Sequence, residues 1–236
     1  MNNSQCVILV PCNNGIEHSV DTSLRILESR GYEVWRTPGY SAIDQGRNRM
    51  AYDALVRRKF QELMWIDSDV AFNPDQVDRI RQHNLPIVGG AYPFKGWPLM
   101  TVQLLAGQIV KFSECGKPVE VDCLATGFLY TKAEVYWKII EQFQFKPCNT
   151  SFGAPQYPFF LPGVWDDDYY LGEDFSFCKR ARASGYKVML DPGIKLGHIG
   201  KYTYEWEDVV NLTGQRPKQP CSPLYYASEA GMQVAG

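Results

Sequence analysis

The chain has 236 residues, 45% of them apolar and 21% charged, enough to bury one substantial core but short for two independent catalytic domains. A formal net charge of −2, with no basic cluster, gives no electrostatic footprint for duplex nucleic acid. The first apolar run is too short for a signal-peptide core or a membrane span, and seven cysteines are scattered without a C-x-x-C pair. A cytoplasmic protein with no transmembrane segment is therefore expected.

In chain order, Cys6 to Val10 reads as a buried strand closed by Pro11, and Ser19 to Arg30 as a helix with Val20, Leu24 and Leu27 on one face. Gly31 stops that helix, and Tyr32 to Arg36 alternates as a second strand. The spacing of Met50, Ala54 and Leu55 predicts a helix over Ile43 to Lys59, and Leu63 to Ile66 is a third apolar run. Asn73-Pro74 opens another helix, since Asn caps and Pro is tolerated in the first turn. Pro86 to Gly89 follows as a fourth strand. Alternating strands and helices predict an α/β fold, a mainly parallel central sheet flanked by helices, with ligands at the carboxyl ends of its strands.

The second half is less regular. Thr101 to Leu105 and Gln108 to Phe112 are expected to form a hairpin across Ala106-Gly107, Val121 to Tyr130 a strand, and Ala133 to Phe143 a helix. Residues 147–170, rich in Pro, Gly and aromatics, read as an ordered loop over a site. Gly172 to Ser184 reads as a helix, and Lys187 to Leu190 and Ile194 to His198 as strands. The domain is expected to span residues 1–213, with 214–236 a Pro-containing tail.

Four constellations could carry chemistry. Asp67-Ser68-Asp69, just past the third strand, can present two carboxylates to Mn²⁺ or Mg²⁺ while the sheet anchors their backbone; alone, it equally fits a solvated turn. Glu173 and Asp174 open a helix, where a carboxylate could act as general base or simply satisfy the helix dipole. The run Asp166-Asp167-Asp168 is a second choice and reads as a solvated loop. His198, between glycines, could ligate a metal, although a lone histidine is commonly structural. Arg47-Asn48 could hold a diphosphate, against the plainer reading of a solvated helix face.

In this order the pieces resemble a glycosyltransferase of the GT-A fold over about residues 5 to 205. They are Val7-Ile8-Leu9-Val10-Pro11, Gly46-Arg47-Asn48, Trp65-Ile66-Asp67-Ser68-Asp69, Ala125-Thr126-Gly127-Phe128, Gly172-Glu173-Asp174 and His198. The resemblance implies transfer of a hexose-class sugar from a UDP- or GDP-linked donor to a glycan or other hydroxyl acceptor, with inversion. It implies Asp69 and His198 as metal ligands, with Asp67 contacting the ribose or the metal through water. Asp174 would be the base with Glu173 beside it, and Pro11, Arg47, Asn48, Asp67, Ser68 and Gly127 would contact the donor. Trp165, Tyr169 and Tyr170, extended by Tyr202, Tyr204 and Trp206, would cover the sugar unless core packing claims them. In the galactosyltransferases that share the Gly-Glu-Asp segment a Met ligand precedes the His by three residues; here Lys195 stands there. The competing readings are a phosphohydrolase of the haloacid-dehalogenase type, whose pattern wants Thr or Val where Ala71 stands, and a non-catalytic sugar-nucleotide or carbohydrate-binding domain. A nucleotidyltransferase would want a basic residue within Pro11 to Gly15, and there is none.

Overall fold

A computed structural model of the chain describes residues 2–13, 15–39, 41–113, 117–166 and 168–209, together with the backbone of 224–227. The first strand, β1 (Cys6–Cys12), is buried along its whole length. It alternates between two cores: Val7 and Leu9 face one, and Cys6, Ile8 and Val10 the other. That is why it reads as an unbroken apolar run, since both faces of the sheet are covered. Helix α1 (His18–Ser29) packs Val20, Leu24 and Leu27 on the second face and leads to β2 (Glu33–Pro38). Helix α2 (Ile43–Tyr52) packs Met50 and Ala51 on the first face.

The predicted helix to Lys59 does not stay α-helical. It widens into a π-type turn over Asp53–Arg57, and Lys59 takes positive φ (60°) to redirect the chain. Strand β3 (Glu62–Ile66) pairs parallel with β1, and the short β4 (Val70–Ala71) follows it. Helix α3 (Asp75–Gln82) is capped as expected, the Asn73 side-chain oxygen accepting from Asp75 N–H at 2.9 Å, and β5 (Ile87–Gly89) completes the first half.

From here the order departs from the expectation. β6 (Val102–Gln103) and β7 (Ile109–Phe112) turn at Gly107 (φ +73°) but do not pair with each other. The strand predicted over Val121 to Tyr130 is three: β8 (Val119–Val121), β9 (Cys123–Leu124) and β10 (Phe128–Lys132). β9 takes β6 as its partner. After α4 (Ala133–Phe143) come the hairpin of β11 (Gly163–Trp165) and β12 (Tyr169–Leu171), then α5 (Glu173–Ala183) and β13 (Val188–Leu190). β14 (Gly197–Ile199) and β15 (Thr203–Tyr204) follow, and β16 (Leu224–Ala227) pairs with β7.

The central sheet has the order β2-β1-β3-β10-β5-β13-β8. β1, β2, β3, β5 and β13 run one way, and β10 and β8 the other, so the sheet is mostly parallel, as expected, but mixed by two reversed strands. β10 enters antiparallel between β3 and β5, which local periodicity cannot announce because its first four residues are simply buried on both faces. Helices α2, α4 and α5 cover one face, and α1 and α3 the other. Among the described residues no helix is long and apolar enough to cross a membrane.

The aromatic segment 147–170 is only partly a cover. Phe159 and Phe160 are fully buried, and Phe160 stacks on Phe177 with ring centroids 4.6 Å apart. Trp206 is likewise core, edge-on to Phe112, and does not extend a lid. Tyr169 and Tyr170 do face solvent. Asp166 and Asp168 sit exposed at the turn of the β11–β12 hairpin; Asp167 and, apart from the backbone of β16, the tail 214–236 lie outside the described residues.

Candidate active site

The site forms where β3 stops. Asp67 N–H donates to Gly127 O at 3.0 Å, adding one rung to the β3–β10 ladder, so the first acidic residue is held by sheet geometry. Because β10 runs antiparallel, the residue preceding it arrives at the carboxyl end of β3. That residue must be Gly127: a Cβ there would stand 2.2 Å from Tyr92 Oη and 2.8 Å from Asp67 Oδ2. Tyr92, just past β5, is 4% exposed, and its hydroxyl sits against Asp67 across Gly127. Burial raises its pKa well above the phenol range, and the charges of Asp67 and Asp174 add to the rise.

Arg47 joins the two acidic segments. It is 2% exposed on α2; Nη2 donates to Asp67 Oδ1 at 2.8 Å, and Nε reaches Glu173 Oε1 at 3.4 Å. Burial opposes its charge, but Asp67 and Glu173 outweigh burial and raise its pKa. Among the described residues neither its Nη1 nor the hydroxyl of Thr126 beside Gly127 has a hydrogen-bond partner, so two buried polar atoms stand unsatisfied here. Asn48 faces elsewhere: its side-chain oxygen accepts from Phe160 N–H at 2.8 Å, pinning the aromatic segment instead of presenting itself to a ligand. Pro11 is buried in β1 beyond the last rung shared with β3, where a missing N–H costs little.

Asp174 lies in the first turn of α5, its Oδ1 accepting from Phe175 N–H at 2.7 Å. Burial raises its pKa to about 7, with the charge of Glu173 contributing next; Arg47 and the Phe175 bond pull the other way without cancelling this. A carboxyl with that pKa exchanges protons near neutrality, as a general base must. The hairpin preceding it is fixed by Trp165, whose indole N–H donates to Ser176 Oγ at 3.1 Å.

Asp69 meets His198 because β4, immediately after the acidic motif, pairs with β14: His198 lies opposite Val70, and Ile199 N–H donates to Asp69 O at 2.8 Å. His198 Nδ1 is 2.9 Å from Pro93 O. A carbonyl only accepts, so Nδ1 carries the proton and Nε2 faces Asp69 Oδ1 at 3.7 Å, too long for a hydrogen bond. An imidazole fixed through Nδ1–H on a carbonyl is the arrangement that presents Nε2 to a metal. Lys95 also reaches Asp69, placing its ammonium on Oδ2. Burial pushes the Asp69 carboxyl up, and the His198 ring when protonated, together with the Lys95 ammonium, pulls it below the usual carboxylate range. Beside Asp69 opens a cavity of about 550 Å³, lined by Ser68, Lys95 and Gly200 on one side and by Asn13, Gly15 and Glu17 of the β1–α1 loop on the other. Glu17 N–H donates to Ser68 O at 2.9 Å, tying that loop to the acidic motif.

The structure thus gathers Asp67, Ser68, Asp69, Arg47, Gly127, Glu173, Asp174 and His198 at one end of the sheet, and turns Asn48 away. Tyr92 and Lys95 were missed from sequence. The signal available for Tyr92 was Gly89-Gly90-Ala91 before it: a Cβ at Gly89 would stand 2.6 Å from Phe128 O, so small residues there mark crowding at a strand end. Among the described residues no group of three or more His, Cys, Asp or Glu is placed to hold a metal; Asp69 and His198 offer two donors.

No family model matches this chain, and no curated protein does. Among solved structures, the crystal structure of A197 from STIV is similar over 84% of this chain and 86% of that one, at 16% identity and a TM-score of 0.54. The crystal structure of a glycosyltransferase involved in the glycosylation of the major capsid of PBCV-1 matches over 58% of this chain and 66% of that one, at 14% identity and a TM-score of 0.32. The second overlaps too loosely to speak to fold or function; the first is a likeness of fold alone, and this chain shares its mixed α/β fold with A197 from STIV.

Proposed function

We propose that this chain transfers a sugar from a UDP- or GDP-linked donor to an acceptor hydroxyl, aided by Mn²⁺ or Mg²⁺, with inversion at the anomeric carbon. The observation that carries the reading is geometric: Arg47 bonds both Asp67 of the Asp67-Ser68-Asp69 motif and Glu173 at the start of α5, beside Asp174, whose carboxyl burial raises to about 7. The mixed α/β architecture is consistent with a GT-A-like fold. A phosphohydrolase would need Asp67 free as nucleophile, whereas its Oδ1 is held by Arg47.

The residues fit a divalent ion bound through few protein ligands. Asp69 and His198 face one another with Nδ1 of the histidine already anchored, and hard cations commonly complete such shells with water and phosphate oxygens. When bound, the ion would neutralise negative charge developing on the departing diphosphate. The rest falls to the chain. Asp174 accepts the acceptor's hydroxyl proton as that oxygen bonds to the anomeric carbon; the bond from that carbon to the diphosphate breaks, and its electron pair leaves with the diphosphate. Glu173, whose carboxylate Arg47 reaches, raises the basicity of Asp174 through its charge. Tyr169 and Tyr170, exposed on the hairpin leading into α5, offer aromatic faces to the acceptor.

The test is release of nucleoside diphosphate from a panel of UDP- and GDP-sugars with Mn²⁺ and hydroxyl acceptors. Acceptor-dependent release is expected, lost in Asp174→Asn while nucleotide binding persists. No release from any donor, or full turnover by Asp174→Asn, would refute the reading.

A further inference from the structure

The loop between β5 and β6 enters the site twice. Pro93 offers its carbonyl to His198, and Lys95, two residues on, lays its ammonium on Asp69. The loop is a closed turn: Pro93 bridges Met100, Phe94 N–H donates to Leu99 O at 2.8 Å, and Gly96 supplies positive φ (+78°). The stem of Lys95 has its own groove, since a Cβ at Gly200 would stand 3.3 Å from Lys95 Cδ. Lys95 is thus seated on the carboxylate. It also lines the 550 Å³ cavity, where it is the one cation among the described lining residues, beside the acidic residues Asp69 and Glu17.

Two consequences follow from charge. An ammonium and a divalent ion cannot share the Asp69 carboxylate without bringing like charges within a few ångströms of each other. A diphosphate, in turn, finds two carboxylates and one ammonium in this cavity, and that ammonium is engaged by Asp69.

We propose that Lys95 is the cation that holds the Asp69 carboxylate until a divalent ion enters between Asp69 and His198, and that it then passes to the diphosphate of the nucleotide in the adjoining cavity. This rests on the donor-binding reading above and deepens it: metal entry and anion binding become coupled through one side chain. Lys95 competes with the metal for Asp69 and is a binding residue for the diphosphate.

The test measures Mn²⁺ binding by the electron paramagnetic resonance of free Mn²⁺, on the full chain without nucleotide. Wild type, Lys95→Met and Asp69→Ala are compared; Met keeps the stem against Gly200 and removes only the charge. Lys95→Met is expected to bind Mn²⁺ about two- to fivefold more tightly than wild type, the range that loss of a partly exposed ion pair allows. With Mn²⁺ saturating, UDP or GDP is expected to bind Lys95→Met several-fold more weakly. Equal or weaker Mn²⁺ binding by Lys95→Met, with wild type binding Mn²⁺ normally, overturns the proposal and leaves the donor-binding reading standing. Unchanged nucleotide affinity overturns the transfer to diphosphate. Absence of Mn²⁺ binding in every protein, with or without nucleotide, overturns both.

Discussion

Replacing Asp174 by Asn should stabilise the protein while abolishing transfer. The carboxyl is raised from an ordinary value of 3.8 to about 7 by burial and by Glu173, so keeping it ionised in the fold costs free energy. At 1.36 kcal/mol per unit, a rise of about three units corresponds to about 4 kcal/mol above pH 7; part of the repulsion belongs jointly to Glu173 and Asp67, so a gain of about 2–4 kcal/mol is the working range. Because the folded pKa lies above the unfolded one, the penalty is absent below about pH 4, grows as pH rises, and is complete above about pH 7. The amide keeps the bond from Phe175 N–H, since its oxygen still accepts. For a chain of this length, about 2–4 °C of melting temperature accompanies each kcal/mol, which gives roughly 5–15 °C at pH 8. Thermal denaturation of both proteins at pH 8, pH 5 and pH 4 measures this. The gain should shrink to less than half at pH 5 and nearly vanish at pH 4. A variant no more stable than wild type at pH 8, or a gain independent of pH, would refute the account of Asp174.

Three other substitutions probe the same framework. Gly127→Ala should lower stability by about 1–3 kcal/mol through overpacking against the Tyr92 hydroxyl and Asp67; adding Tyr92→Phe should recover part of it in urea denaturation, because the nearest atom is the hydroxyl oxygen. Arg47→Met leaves Asp67 and Glu173 without their partner and should cost toward the lower end of about 3–5 kcal/mol, since both carboxylates retain some solvent. The same change removes a charge that lowers the Asp174 pKa, so any surviving transfer should need higher pH, read as an alkaline shift of the rising limb of kcat/KM. Tyr136→Phe removes the hydroxyl that accepts from Trp65 Nε1 and contacts Thr131 Oγ1, each at 2.9 Å, and should cost about 1–3 kcal/mol by calorimetry with no change in metal binding.

The acidic motifs were legible because each interrupts a strong local signal. Asp67 ends an apolar run, and Glu173 and Asp174 open a helix after a Pro- and Gly-rich stretch, so the residue types alone marked them. Strands β1, β2, β3 and β5 were legible as apolar or alternating runs. What sequence could not disclose was who lies beside whom. β10 enters between β3 and β5 in reverse, so the sheet is mixed and Gly127 comes to Asp67. The pairing of β4 with β14, two- and three-residue strands with no periodicity to detect, carries His198 to Asp69. Asn48 and Trp206 carried side chains suited to a ligand and were claimed by packing, one by Phe160 N–H and the other by Phe112. Lys95 and Tyr92 sit in a loop without a motif, and their roles arise from contacts with Asp69, Asp67 and Gly127 alone.

The central claim is that Asp69 and its neighbours bind a nucleoside diphosphate through a divalent ion. It is tested most directly by isothermal titration of UDP and of GDP into the protein with and without Mn²⁺, on wild type and Asp69→Ala. The account predicts binding of one nucleotide that requires Mn²⁺ and is lost in Asp69→Ala. Failure of both nucleotides to bind wild type in the presence of Mn²⁺, or equal binding by Asp69→Ala, would contradict it.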